Sequence, residues 1–189
     1  KNIEQTQLAL GIRTCSRHDH RRFALRLLNT LLGENMSSRL FRSIREENGL
    51  AYNIYSIPNF YHDTGSLTIT AGLDTTNTEK ALKLTVKELQ KLRNKAPSIG
   101  ELRRARDYLI GQLELSLEST DNQMNWVAEQ LLGFEKIIPP DQIKDLLHKI
   151  RPSDIRSAAI DFFQPSNICL SMISPLKGKK NLLKCLEID

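Results

Sequence analysis

"MSSRLFRSIREENGLAY", residues 36–52, decides how this chain is read. Leu40, Phe41 and Ile44 recur at helical spacing, and Ser37 or Ser38 is placed to cap the helix that they mark. Asn48-Gly49 ends it, because glycine takes the left-handed backbone conformation at little cost. Strand-like sequence follows at once from Ala51. A cation, Arg45, therefore lies just before a sharp corner, and a phenol, Tyr52, lies just after it.

Upstream, Leu8, Leu10 and Ile12 alternate with polar or small residues, which predicts a half-buried strand. Phe23, Leu27, Leu28, Leu31 and Leu32 predict a helix that stops at Gly33. Downstream, Ala51 to Tyr61 and Ser66 to Leu73 are strand-like and are joined by His62-Asp63-Thr64-Gly65, a hairpin composition. From Thr76 the texture turns helical. Thr76 with Glu79 and Ser98 with Glu101 have capping-box spacing. Leu82, Val86 and Leu89 mark one amphipathic face, and Leu102, Ala105, Leu109 and Leu113 mark another. Ser119 to Asn122 breaks the helical region before Met124 to Leu132. Pro139-Pro140 separates this region from two short helices, about 142–149 and 153–163, and a last strand spans Asn167 to Ile173. This order predicts an α+β two-layer sandwich, a largely antiparallel sheet covered by helices on one face. One domain is expected over 1–175, with a basic tail over 176–189.

The chain has 189 residues, 40% hydrophobic and 26% charged, enough for a sizeable core without staples. No apolar run approaches a membrane span, no signal-peptide pattern stands at Lys1, and the first residue is not methionine. A processed form or an excised piece of a longer protein is expected. Cys15, Cys169 and Cys185 are odd in number and widely spaced, with no zinc spacing, which favours a reducing, cytoplasmic compartment. The net charge is +5, with basic clusters at Arg17 to Arg26 and Lys177 to Lys184. Acidic residues are mixed into nearly every helix and no RNA- or DNA-reading signature accompanies the clusters, so nucleic acid is not an expected partner.

Few residues offer chemistry. His18-Asp19-His20 brings two imidazoles close, but catalytic zinc wants three placed ligands, and His62 and His148 stand without a second ligand beside them. Neither H-E-x-x-H nor H-x-x-E-H occurs. Ser37-Ser38 lacks a nucleophile elbow, Gly33-Glu34-Asn35 is no phosphate loop, and Glu46 and Glu47 point in different directions on a helix. Trp126 and the apolar stripes read as core. Arg45 has an ordinary explanation as a cation complementing the helix dipole, and Tyr52 as a sheet residue with a wet hydroxyl. Yet a guanidinium and a phenol on either side of one corner also suit a different task. They are donors fit for a peptide carbonyl or the oxyanion made from it.

"LLGENMSSRLFRSIREENGLAYNIYS", followed by "YHDTGSLTITAGLD", resembles the C-terminal domain of the insulinase/pitrilysin family of zinc metallopeptidases, in the branch of mitochondrial processing peptidase and its bacterial relatives. "IEQTQLALGI", "SIGELRRARDYLIGQL" and "IRPSDIRSAAIDFF" extend the resemblance over nearly the whole chain. It implies a LuxS/processing-peptidase-like metallohydrolase fold and two halves that enclose a substrate chamber. In the family the N-terminal half carries H-x-x-E-H and a zinc-bound water activated by its glutamate. The C-terminal half carries an R-x6-Y pair that binds substrate and stabilises the transition state. Arg45 and Tyr52 match that pair in type and spacing.

The resemblance thus implies the substrate-binding half of a zinc-dependent endopeptidase. Zinc would be held by the other half, and no metal or cofactor site is expected in this chain, which alone is expected to be inactive. The expected partners are the zinc-bearing half, in the same polypeptide or in a partner subunit, and a peptide substrate. Self-association is compatible with the same architecture. The alternative is a catalytically inactive partner or scaffold subunit of the same fold. Two departures stand out: the zinc motif is absent, and the glycine-rich run that many relatives carry before M-S-S-R-L-F keeps one glycine, Gly33. The hairpin edge at Ser66 to Leu73 is a further expected place for a peptide, by strand addition.

Overall fold

Among the described residues, four antiparallel strands carry the fold. A computed structural model describes residues 5–175 together with Leu182, Cys185 and Leu186. The strands are β1 (Gln5–Thr14), β2 (Ala51–Phe60), β3 (Gly65–Asp74) and β4 (Ile168–Ile173), in the order β2-β3-β1-β4. All pairings among them are antiparallel, and β1 meets β3 in an unbroken register from Gln5↔Asp74 to Thr14↔Gly65. The period of two does the sorting: Leu8, Leu10 and Ile12 share one face with Leu67, Ile69, Ala71 and Leu73, and all seven are buried. The opposite face carries small and polar residues, with Tyr55 and Ile57 exposed on it.

Helices pack on the apolar face. They are α1 (Arg22–Asn29), α2 (Thr78–Asn94), α3 (Ile99–Ser116), α4 (Thr120–Phe134), α5 (Pro140–Lys149) and α6 (Pro152–Phe162). The expected stripes are buried on α2 at Leu82, Val86 and Leu89, and on α3 at Leu102, Ala105 and Leu109. Ser98 caps α3 as its spacing predicts, its hydroxyl accepting the Glu101 N–H at 3.1 Å. The Glu101 carboxylate is spent elsewhere, on a two-pronged pair with Arg39 at 2.8 and 3.0 Å.

Several expectations are corrected. Neither Ser37 nor Ser38 caps the helix after them: Ser38 Oγ is buried without a partner, and Asn35 makes the turn by accepting the Ser37 N–H at 2.9 Å. Thr76 is no cap either, because Asp74 accepts its N–H at 2.9 Å. Strand β3 lies between β2 and β1, so Ser66 to Leu73 has no free edge for strand addition. Met124 to Leu132 is helical, but Met124, Val127, Leu131 and Leu132 are exposed, and Trp126 is only half-buried. The apolar residues of α4 are therefore not core.

The lysine-rich cluster Lys177 to Lys184 lies outside the described residues. Of the stretch 176–189, Leu182 and Cys185 are buried against the same core as the strands. Among the described residues no helix is long and apolar enough to cross a membrane.

Candidate functional site

The corner at Gly49 is built from backbone hydrogen bonds. Residues Phe41–Glu46 form a short, widely wound π-helix, in which the Glu47 N–H reaches the Arg42 carbonyl at 2.9 Å. Gly49 has φ +61°, donates to the Arg45 carbonyl at 3.1 Å, and is followed by Leu50, whose N–H reaches Ile44 at 2.9 Å. This left-handed cap closes the helix and turns the chain into β2. Ile44 and Leu50 are buried on either side of the turn and fix its angle against the core.

Arg45 is exposed in the last turn, with its guanidinium carbon 5.0 Å from the centre of the Phe41 ring. Tyr52 is 61% exposed. Its exposure has a local cause that sequence reasoning missed. Ala51 pairs with Leu73 and Asn53 with Gly72, so Tyr52 is an extra residue with no opposite number, a β-bulge at the strand entrance. The slip shows in the burial of β2, whose buried positions run 51, 54, 56, 58 with one step of three; no such signal stood in the sequence, since the buried residues at 56 and 58 are Ser and Pro. Asn53 Oδ1 then takes the Gly72 N–H at 2.8 Å, and the space it occupies is where a side chain at 72 would begin.

The loop Gly33-Glu34-Asn35 is structural in its contacts. Glu34 accepts from Arg26 at 2.7 Å, Thr30 at 2.6 Å and Asn29 at 3.2 Å, and Asn29 Oδ1 in turn accepts from the buried Ser56 hydroxyl of β2 at 2.7 Å. Gly33 lies so close that a Cβ there would stand 2.6 Å from Ser56 Oγ. The single glycine is thus a packing requirement against β2.

The metal reading of the histidines meets a correction. His62 does have a neighbour: His18 Nε2 lies 3.1 Å from its Nδ1. His20 points away, its side chain 95% exposed and 3.6 Å from Asp19. Among the described residues no group of three or more His, Cys, Asp or Glu is arranged to hold a metal ion. The basic cluster Arg17 to Arg26 is not an open cationic patch. Arg21 is paired with Asp19 and Asp161, Arg26 with Glu34, and Arg17 and Arg22 turn into a cleft.

Residues 1–109 match the family model described as peptidase M16 inactive domain. An uncharacterized zinc protease of Streptomyces coelicolor is 35% identical over 182 residues, 95% of this chain and 39% of the relative. One from Bacillus subtilis is 34% identical over 177 residues, 93% of this chain and 42% of the relative. Among solved structures, a protease from Helicobacter pylori superposes with a TM-score of 0.85 at 21% identity, over 92% of this chain and 42% of that one. The chain spans less than half the length of each of these proteins.

Proposed function

The chain belongs to the peptidase M16 family, matching its inactive domain, and from that premise we propose that it is the substrate-binding half of a zinc-dependent endopeptidase. Zinc is not assigned to this chain, whose described residues offer no ligand set, but to the remaining half of a protein of its relatives' length. Within the family we assign it to the processing-peptidase-like branch.

The observation that carries the reading is the corner itself. Arg45 and Tyr52 are both exposed, and they flank the left-handed turn at Gly49. Tyr52 is pushed out of the ladder by a bulge, a device that re-aims side chains beside active sites. The guanidinium offers fixed N–H donors and the phenol an O–H donor. Together they bind the backbone of an extended peptide and meet the negative charge that grows on its carbonyl oxygen during hydrolysis. In this reading bond cleavage belongs to the other half. The resulting division of labour has one half activating water and the other holding the peptide.

The experiment uses the full-length protein, with its upstream half, and an internally quenched peptide. Tyr52→Phe and Arg45→Ala should each lower turnover on the order of 10²–10³-fold, with circular dichroism and metal content unchanged. Wild-type kinetics in both variants would overturn the assigned role. An upstream half lacking H-x-x-E-H would favour the scaffold reading instead.

A further inference from the structure

The outer face of the sheet continues the corner. Tyr52 and Asn53 are both exposed between buried Ala51 and Ile54, so the bulge sends two successive side chains to the same, solvent side of β2. Tyr55 and Ile57 follow on that side, 39% and 49% exposed. On the rise of an extended strand, Tyr55 stands about 10 Å from Tyr52, and Ile57 about 7 Å beyond it.

The strand register extends these positions across the whole sheet. Ile57 is opposite Thr68, Thr68 opposite Gly11, and Gly11 opposite Cys169. Tyr55, Thr70, Ala9 and Ser171 form the neighbouring row, and Asn53, Gly72, Gln7 and Ile173 the next. In the first two rows the bulky residue lies on β2 and the other strands carry small ones. Above Gly11 the floor is clear, since a Cβ there would meet nothing nearer than the Cys169 carbonyl at 3.8 Å. Apart from Gly72, every residue of the three rows is exposed or half-buried. None of them is charged, in a chain whose residues are 26% charged. Charge returns at the two ends of the face, at Arg13 beside Ser66 and at Asp74 beside Gln5.

This surface suits one kind of peptide. Alternate side chains of an extended chain point the same way and stand about 7 Å apart, the separation of Tyr55 and Ile57 along β2. A peptide held at Tyr52 and running along β2 lays two such side chains over them. Apolar side chains gain by leaving water there. Acidic or basic ones would be desolvated against a face that offers them no opposite charge.

We propose that Tyr55 and Ile57 select the substrate, by taking two apolar side chains, two residues apart, on one flank of the scissile bond. The nearer side chain lies about three residues from the carbonyl held at the corner, as the rise along β2 requires. The inference rests on the role given to Arg45 and Tyr52 and adds the substrate class to it: extended peptides with alternating aliphatic or aromatic residues at that distance.

The test uses the full-length protein and internally quenched peptides in which Asp replaces each residue in turn on both sides of the cleaved bond. Asp at two positions, two apart on one side, should lower kcat/KM about 10–100-fold, the scale on which an apolar contact discriminates. Ile57→Lys should slow the apolar parent peptide and restore cleavage of one of those two Asp peptides. Ile57 is exposed, so the lysine should leave the circular dichroism unchanged. Tyr52→Phe should slow every peptide alike. A flat Asp scan on the unmutated protein, or a scan that Ile57→Lys leaves unchanged, overturns the proposal. If Tyr52→Phe still slows all the peptides, the role of the corner survives that result; if it slows none, both readings fall. A dimer that Ile57→Lys dissociates in sedimentation, with peptide selectivity unchanged, overturns the proposal in favour of a contact with a second copy.

Discussion

Asn53 Oδ1 accepts the backbone N–H of Gly72 at 2.8 Å, so a side chain stands in the ladder beside the residue that the bulge has expelled. The arrangement explains why Tyr52 is held out at a strand entrance without fraying it. Asn53→Ala should cost about 1 kcal/mol, the usual net value of one such bond. Gly72→Ala should cost more, because its Cβ would begin 2.5 Å from Asn53 Oδ1. Urea unfolding measures both. A Gly72→Ala variant as stable as wild type would mean that the bulge is free to shift.

The Gly33–Ser56 contact gives a second test. Gly33→Ala forces a methyl into Ser56, whose hydroxyl anchors the Asn29–Glu34–Arg26 network. Overpacking of this kind costs about 1–3 kcal/mol. Pairing it with Ser56→Gly should recover part of the loss, which a double-mutant cycle in urea would read.

Asp19 sets an acid limit on one loop. It accepts from the Arg21 side chain and N–H, and Arg21 reaches on to Asp161 of α6 at 2.9 Å. The Arg21 side-chain bonds hold the Asp19 carboxyl below its ordinary value of 3.8. A depressed carboxylate contributes stability that is complete above its unfolded value and is lost as pH falls through the folded one. Asp19→Asn should therefore destabilise at neutral pH, by about 0.5–1 kcal/mol, since the Arg21 side chain is 40% exposed and water screens the pair. The difference from wild type should shrink as pH drops below 3.8. Thermal melts across pH 2.5–7 (about that span suffices) check the sign; a gap that widens in acid would refute it.

The cysteines should separate by reactivity. Burial, the leading cause, pushes the Cys15 thiol up to about 11, while Cys169 is exposed on β4. Thiolate is the reacting form, so iodoacetamide at mild alkaline pH should label Cys169 in the native chain and spare Cys15 until unfolding. Peptide mass spectrometry reads the order directly.

Much of the fold was legible in the sequence. The two-residue period of Leu8, Leu10 and Ile12 and of Leu67 to Leu73 fixed which face meets the helices. Gly49 marked the corner, and its φ of +61° is the reason glycine stands there. Caps were read less well. Ser38 and Thr76 matched the pattern, but Asn35 and Asp74 won the N–H groups, because several polar residues in a row compete for the same donors. Trp126 misled, because an apolar residue on a helix states that a face is apolar, not what covers it.

By itself, then, the sequence determined the strands, most helices, the turn at Gly49 and the two side chains bracketing it, since each follows from local spacing and backbone preference. Only the tertiary structure decided that β3 is interior, that His18 meets His62, and that Arg17, Arg22, Trp126 and Gln130 line one cleft. Those residues lie on different elements, and what brings them together is packing between elements, which no local pattern encodes.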